Sequence, residues 1–353
     1  MTQEQDKLKI GITLGDTNGI GPELIIKTFS DNRMVQVCTP VIYGNSKVIS
    51  FYRKMLNSQE FNYNTVRSSA DAGDKKVNLV NCWEEEIKVE PGQPTETGGK
   101  YALKSLQAAA GDLKDGRLDA VVTAPVNKKM MQQEGFSFPG HTEFFGSLFG
   151  AKDQLMLLVS NTMRVAFVTG HVPVKQVSPL LTKEKILSRL KLLNDSLQRD
   201  FNIRKPRIAV LALNPHAGDN GLLGTEENEI ITPAINEAFE NKMLVYGPYP
   251  ADGFFGSSAI GKFDGVLAMY HDQGLVPFKT LAFDSGVNFT AGLPAVRTSP
   301  DHGTAYDIAG KGTASEDSFR QAIYTAIDIV HNRSVYDEAN ANPLKYSKLG
   351  VDR

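Results

Sequence analysis

Four of the six histidines stand where an imidazole can do chemistry. His171 follows the apolar run RVAFVTG, His216 follows IAVLALNP, and His271 follows GVLAMY. Each run reads as a strand, so three imidazoles come at the carboxyl ends of three different strands, where open α/β sheets bind ligands. His141 lies in the loop FPGHTEFF. Three histidines around an open position make a catalytic divalent-metal site. For any one alone, a satisfied loop or core histidine is the competing reading; the repeated strand-end placement favours the shared metal. Asp272 directly follows His271, and Asp252 sits in the turn PADGFF. A carboxylate so placed can ligate a metal or orient an imidazole. For Asp252, beside Gly253, a turn residue bonding its own backbone is an equal reading.

Residues 271–314 are dense in Gly, Pro and isolated polar groups, which reads as a long functional loop. Too many apolar residues lie in it for disorder. Within it Lys279, Asn288 and Arg297 are the groups to aim at a substrate, since Arg offers a fork and Lys a point charge to phosphate or carboxylate. Taken singly, each could equally be a surface residue. Two glycine-rich segments carry no dinucleotide or P-loop fingerprint. GDTNGIGPE (15–23) joins a strand to a helix and could receive an anion at that helix start. DHGTAYDIAGKGTA (301–314) leaves room for a flat ligand beside its backbone. His331 is expected near the end of the last helix, as a favourable charge there.

The elements needed to position these residues alternate. Strands are expected at 8–14, 41–43, 77–80, 120–123, 208–213 and 265–270, with an antiparallel pair at 155–160 and 164–169. Helices are expected at 22–29, 46–56, 101–113, 183–201, 226–239 and 315–330. This alternation predicts an α/β fold with helices on both faces of a mainly parallel sheet. At 353 residues, two lobes are the default.

Composition removes other classes. A net charge of −2 argues against a nucleic-acid binder. No apolar run is long enough to span a membrane, and the N-terminal stretch has no signal-peptide character. Two cysteines, Cys38 and Cys82, read as small buried hydrophobes in a reducing cytoplasm.

The blocks GDTNGIGPE, TAPVNK, PGHTEF, TGHVPV, LNPHAGDNGLLGTEE, GPYPADGFF, YHDQGLVPFK and GVNFTAGLPAVRTSPDHGTAYDIAGKG together resemble the 4-hydroxythreonine-4-phosphate dehydrogenase family, in family order along nearly the whole chain. Thr17 and Asn18 stand where many members read Pro-Ala. The HGTAYDIAGKG stretch also resembles the dinucleotide loop of isocitrate and isopropylmalate dehydrogenases. The resemblance implies their two-domain, three-layer α/β/α fold, with residues 1–128 and 300–353 on the cofactor side and 129–299 carrying metal, substrate and dimer contacts. It implies His171, His216 and His271 as ligands of one divalent ion (Zn, Mg or Co), and His141, Thr142, Lys279, Asn288 and Arg297 as substrate contacts. NAD or NADP would meet His302, Gly303, Thr304, Ala305 and Asp307. Asp252, Asp272 and Lys279 are candidates for proton transfer or for support of the metal ligands. The family works as a homodimer with its site in the interdomain cleft at the subunit interface, two metal histidines coming from one chain and one from the other; His271 is the expected visitor. The implied reaction oxidises 4-phosphooxy-L-threonine in vitamin B6 synthesis. Alternatives are a related dehydrogenase of 4-phosphothreonate or 4-phosphoerythronate and, further off, a metal-dependent hydrolase or phosphoester-binding protein.

Overall fold

The computed structural model describes residues 7–342. The remaining ends, 1–6 and 343–353, belong to the expected cofactor-side domain and lie outside the described residues. Twelve strands form one sheet: β1 Lys9–Thr13, β2 Thr39–Gly44, β3 Asn64–Val66, β4 Asn78–Asn81, β5 Ala120–Thr123, β6 Leu155–Val159, β7 Arg164–Thr169, β8 Arg207–Leu211, β9 Leu244–Tyr249, β10 Gly265–Tyr270, β11 Val287–Ala291 and β12 Val296–Pro300. Their spatial order is β3-β4-β2-β1-β5-β12-β11-β6-β7-β10-β8-β9. The α/β expectation holds, and so does the antiparallel pair β6/β7.

The sheet contains two parallel blocks joined by an antiparallel seam. Strands β3 to β12 in that order all run one way. Pairs β12/β11, β11/β6 and β6/β7 are antiparallel, so the block β7-β10-β8-β9 runs the opposite way. Carboxyl ends of the two blocks therefore lie at opposite edges of the sheet. His171, His271 and His216 follow β7, β10 and β8, which are neighbours, so they share one edge.

Helices bury one face each. Lys183–Arg199 opens on Thr182, whose hydroxyl accepts from Lys185 N at 3.2 Å, and buries Ile186, Leu190, Leu193 and Leu197 completely. Each such side chain contributes roughly 1.5–3 kcal/mol. Glu96–Lys114 is capped in the same way by Thr95.

Residues 271–314 are not the loop the sequence suggested. His271–Ala282 is a helix, and β11 and β12 are central strands. Gly274 is a close-approach residue there: a Cβ would lie 2.7 Å from Val165 Cγ1, so glycine brings the helix onto β7. Pro277 sits inside the helix. Phe278 and Ala282 supply the buried stripe that outweighs it. The expected helix at 226–239 begins as a π-turn, Glu227–Ile231, before Thr232–Glu240. The last helix runs Asp317–Ala341, so His331 is exposed in its interior and has no terminal dipole to meet. Both cysteines are free, Cys38 buried and Cys82 half-buried, and burial pushes each thiol up to about 12. Among the described residues no helix is long and apolar enough to cross a membrane.

Candidate active site

Two adjoining cavities, of about 450 and 250 Å³, share Val126, Lys128, His141, Asn288 and Arg297 in their walls. The larger reaches Thr142, Glu143 and His171; the smaller reaches Lys279, Asp301, His302 and Gly303. They meet at the seam, where β11 brings Asn288 and β12 brings Arg297.

Arg297 is the centre of this arrangement. It is 3% exposed, and among the described residues no carboxylate pairs with it. Its Nε and Nη2 donate to Thr123 Oγ1 at 3.1 and 2.6 Å, and its Nη1 to Thr290 Oγ1 at 3.4 Å. Nη2 also donates to His141 Nδ1 at 3.1 Å. Burial pulls the guanidinium down to about 9, still cationic at neutral pH. Because His141 Nδ1 accepts, its proton sits on Nε2, a buried donor with no protein partner. Thr142 Oγ1 lies 3.4 Å from Thr290 Oγ1, and Asn288 Oδ1 is buried without a donor. A buried cation beside the unpartnered His141 N–H suits a compact anion, whereas Asn288 Oδ1 calls for a hydroxyl or ammonium donor.

His141 also makes stability pH-dependent. Burial, then the charges of Arg297 and Lys128, hold its pKa well below the ordinary 6.5. Unfolded, it takes a proton near 6.5; folded, only at much lower pH. The unfolded chain binds more protons in that window, so stability falls as pH falls. The melting temperature is expected to drop between about pH 7 and pH 5, and to drop less in His141→Asn. An equal drop in both proteins would remove His141 as a cause. His171 and His302, also lowered by burial, would supply the remainder.

His171 and His271 come together, ring centroids 5.3 Å apart, with Phe167 stacked on His271 at 5.7 Å. Asp272 Oδ1 holds His271 Nδ1 at 2.6 Å. That contact places the proton on Nδ1 and leaves the Nε2 lone pair for a ligand. Burial, with Lys128 and His271 nearby, lowers the pKa of His171 and favours the neutral form a metal requires. His216 does not join them: among the described residues no group of three or more His, Cys, Asp or Glu could hold a metal. It is exposed, and begins five consecutive residues in the left-handed region, His216 to Asn220, with φ between 43 and 78°. Glu227, 2% exposed, fixes the base of this turn by accepting from Leu213 N and Asn214 N at 2.8 Å each. Leu222 and Leu223 beyond it are 79% and 44% exposed.

Other expectations fare unequally. Lys279 lines the smaller cavity, its Nζ donating to Asp301 O at 3.1 Å. Asp252 is exposed on the short helix Ala251–Phe255 and lines neither cavity. Of the cofactor candidates, His302 and Gly303 line the smaller cavity, whereas Thr304, Ala305 and Asp307 do not. The helix start in GDTNGIGPE is closed to an anion, because Glu23 is buried there and Thr304 O accepts from Ile20 N. Asn18, at the departure from Pro-Ala, is a buried hub bonding Glu90 N, Gln93 O and Thr95 Oγ1. Lys128 is the residue the sequence reading missed. It lines both cavities at the end of β5, the same strand-end placement that marked the histidines.

Comparison with known proteins decides the family. A model described as pyridoxal phosphate biosynthetic protein PdxA matches residues 36–326. This chain belongs to the PdxA family. A relative from Bacteroides thetaiotaomicron named 4-hydroxythreonine-4-phosphate dehydrogenase is 54% identical, over 97% of this chain and 94% of its own. A relative from Oceanobacillus iheyensis, 38% identical over 91% of this chain and 97% of its own, is named a putative D-threonate 4-phosphate dehydrogenase. The solved 4-hydroxythreonine-4-phosphate dehydrogenase of Klebsiella pneumoniae superposes with a TM-score of 0.79 at 34% identity, covering 93% of this chain and 99% of that one.

Proposed function

We propose that this PdxA-family chain is an oxidoreductase that converts 4-phosphooxy-L-threonine to 2-amino-3-oxo-4-phosphooxybutanoate, which loses CO2 to give 3-amino-2-oxopropyl phosphate for vitamin B6 biosynthesis. The observation that carries the reading is the buried Arg297–His141 pair, a cation and an unpartnered N–H side by side, which suits an anionic substrate. The named relatives supply the anion's identity.

Within this reading Arg297, the His141 Nε2 proton and the hydroxyls of Thr142 and Thr290 grip the phosphate or carboxylate. Lys279 and Asn288 orient the remainder of the substrate from the seam. His171 and His271 hold a divalent ion, with Asp272 fixing the tautomer of His271. The residues present fit two ligands of that ion, and His216 of a second copy would complete the set in a homodimer. His171 and His271 already pair in one chain, so His216 replaces His271 as the visitor. When bound, the ion supplies Lewis acidity at the alcohol oxygen, and NAD or NADP beside His302 and Gly303 supplies the hydride acceptor. Lys279 and Lys128 present ammonium donors to the developing charge. The described residues within 1–128 and 300–353 would form the cofactor-side domain, and 129–299 the metal side. Two free cysteines fit a reducing compartment such as the cytoplasm.

The threonate-named relative favours a second substrate, 4-phosphothreonate, differing at C2. Reduction of NAD and NADP followed at the nicotinamide absorbance, with both substrates and a divalent metal, separates them. Higher kcat/KM on 4-phosphooxy-L-threonine is expected. Preference for 4-phosphothreonate would give the second reading, and no reduction with either would end the proposal.

A further inference from the structure

A third cavity, of about 430 Å³, shares no wall residue with the two at the candidate active site. It lies where the turn between β6 and β7 meets the last helix, Asp317–Ala341. Arg164, the first residue of β7, forms part of its wall. His171 follows the other end of that strand, roughly 20 Å away by the rise of an extended chain.

Arg164 is half-buried and incompletely answered. Its guanidinium lies over the Phe201 ring, 4.5 Å from the centroid, which fixes its plane. Nη1 donates to Asp264 O at 3.4 Å. Nε is buried with no acceptor, and among the described residues nothing accepts from Nη2 either. The Asp264 carboxylate, whose charge reaches Arg164, is engaged by Arg207: it accepts from Arg207 N at 2.7 Å and stands 3.8 Å from Arg207 Nε. Nε and Nη2 form the edge through which an arginine takes an oxyanion in two parallel hydrogen bonds. Leaving such a buried N–H unmade is costly. Asn161, Ser285, Gln321 and Thr325 line the same cavity, and among the described residues their side chains make no hydrogen bond. They offer amides and hydroxyls to the body of a ligand. Asp328 and His331 stand exposed on the rim. The volume is that of a small-metabolite site.

We propose that this cavity is a second binding site, for a small metabolite bearing a carboxylate or a phosphate, whose oxyanion is gripped by the Nε–Nη2 edge of Arg164. Because the walls are separate, this ligand and the substrate bind together.

The test is thermal melting of the full chain in millimolar inorganic phosphate or succinate, each protein being compared with itself in sodium chloride of equal ionic strength. At about ten times the Kd, one such site raises Tm by roughly 2 °C. Anion bound at Arg297 adds its own rise, so the Arg164 share is the part lost in Arg164→Gln. Thr325→Trp, which fills the cavity and leaves Arg164 in place, should lose the same part. Both variants should keep the wild-type KM for the phosphorylated substrate. The anion with the larger Arg164-dependent rise identifies the oxyanion the site takes. Equal rises in the wild type and a cooperatively melting Arg164→Gln protein would overturn the proposal. A full rise in Thr325→Trp would overturn it as well, by placing the anion outside the cavity, and so would a KM that climbs as the rise is lost. Should one variant fail to melt cooperatively, the other decides.

Discussion

Replacing His216 by alanine is expected to cut turnover by about a thousandfold or more while leaving the melting transition in place. A metal's Lewis acidity supplies several kcal/mol of transition-state stabilisation, and each 1.36 kcal/mol is about tenfold in rate. The fold should survive, because His216 is exposed and its turn is fixed from below by Glu227. Retained turnover would remove His216 from the metal. Mixed dimers then test which histidine crosses between subunits. If His216 is the visitor, a subunit with His171→Ala paired with one carrying His216→Ala contains one site with all three histidines. Activity should return to about half of wild type by that count of intact sites. Pairing His171→Ala with His271→Ala should recover nothing. The reverse pattern would restore His271 as the visitor, against the 5.3 Å approach of the two rings in one chain.

The second large effect is expected at Arg297. Arg297→Ala removes a buried guanidinium and leaves Thr123, Thr290 and His141 without their donor. Losing one member of a buried charged contact costs roughly 2–5 kcal/mol. The KM for the phosphorylated substrate should therefore rise on the order of a hundredfold, far more than for its dephosphorylated analogue. Arg297→Lys should fall between, keeping charge but losing the fork. Equal effects on both substrates would take phosphate recognition away from this side chain.

Much of the α/β pattern was legible because interior parallel strands and long helices carry clear apolar runs, whereas the edge strands Asn64–Val66 and Leu244–Tyr249, which bury little, were not expected. The run at 120–123 is mostly apolar and the helix 183–199 buries Ile186, Leu190, Leu193 and Leu197 at helical spacing, so their positions follow from the sequence. Of the seam, β6 and β7 were legible but β11 and β12 were not, for a physical reason. β11 and β12 read VNFTA and VRTSP, and Asn288, Thr290, Arg297 and Ser299 break the apolar pattern because their strands floor a polar site. Gly274 and Pro277 look like turn signals, yet glycine there lets a helix lie close on β7. Asn288 and Arg297 were singled out in an expected loop, and both line the cavities from central strands instead. Lys128 was passed over although it shares the strand-end placement that singled out the histidines. Which imidazoles pair within one chain depends on the order β7-β10-β8, and no motif states that order.

The left-handed turn at His216 carries a consequence for anyone engineering this protein against heat. Ala217, Asp219 and Asn220 each hold a backbone that L-residues adopt at a cost of about 1–2 kcal/mol. Glycine at these three positions would relieve much of that strain. The same change would slacken the stretch proposed to deliver the His216 imidazole to a neighbouring subunit. Thermal robustness and assembly of a working centre draw here on one reservoir, and improving the first by relaxing it would erode the second.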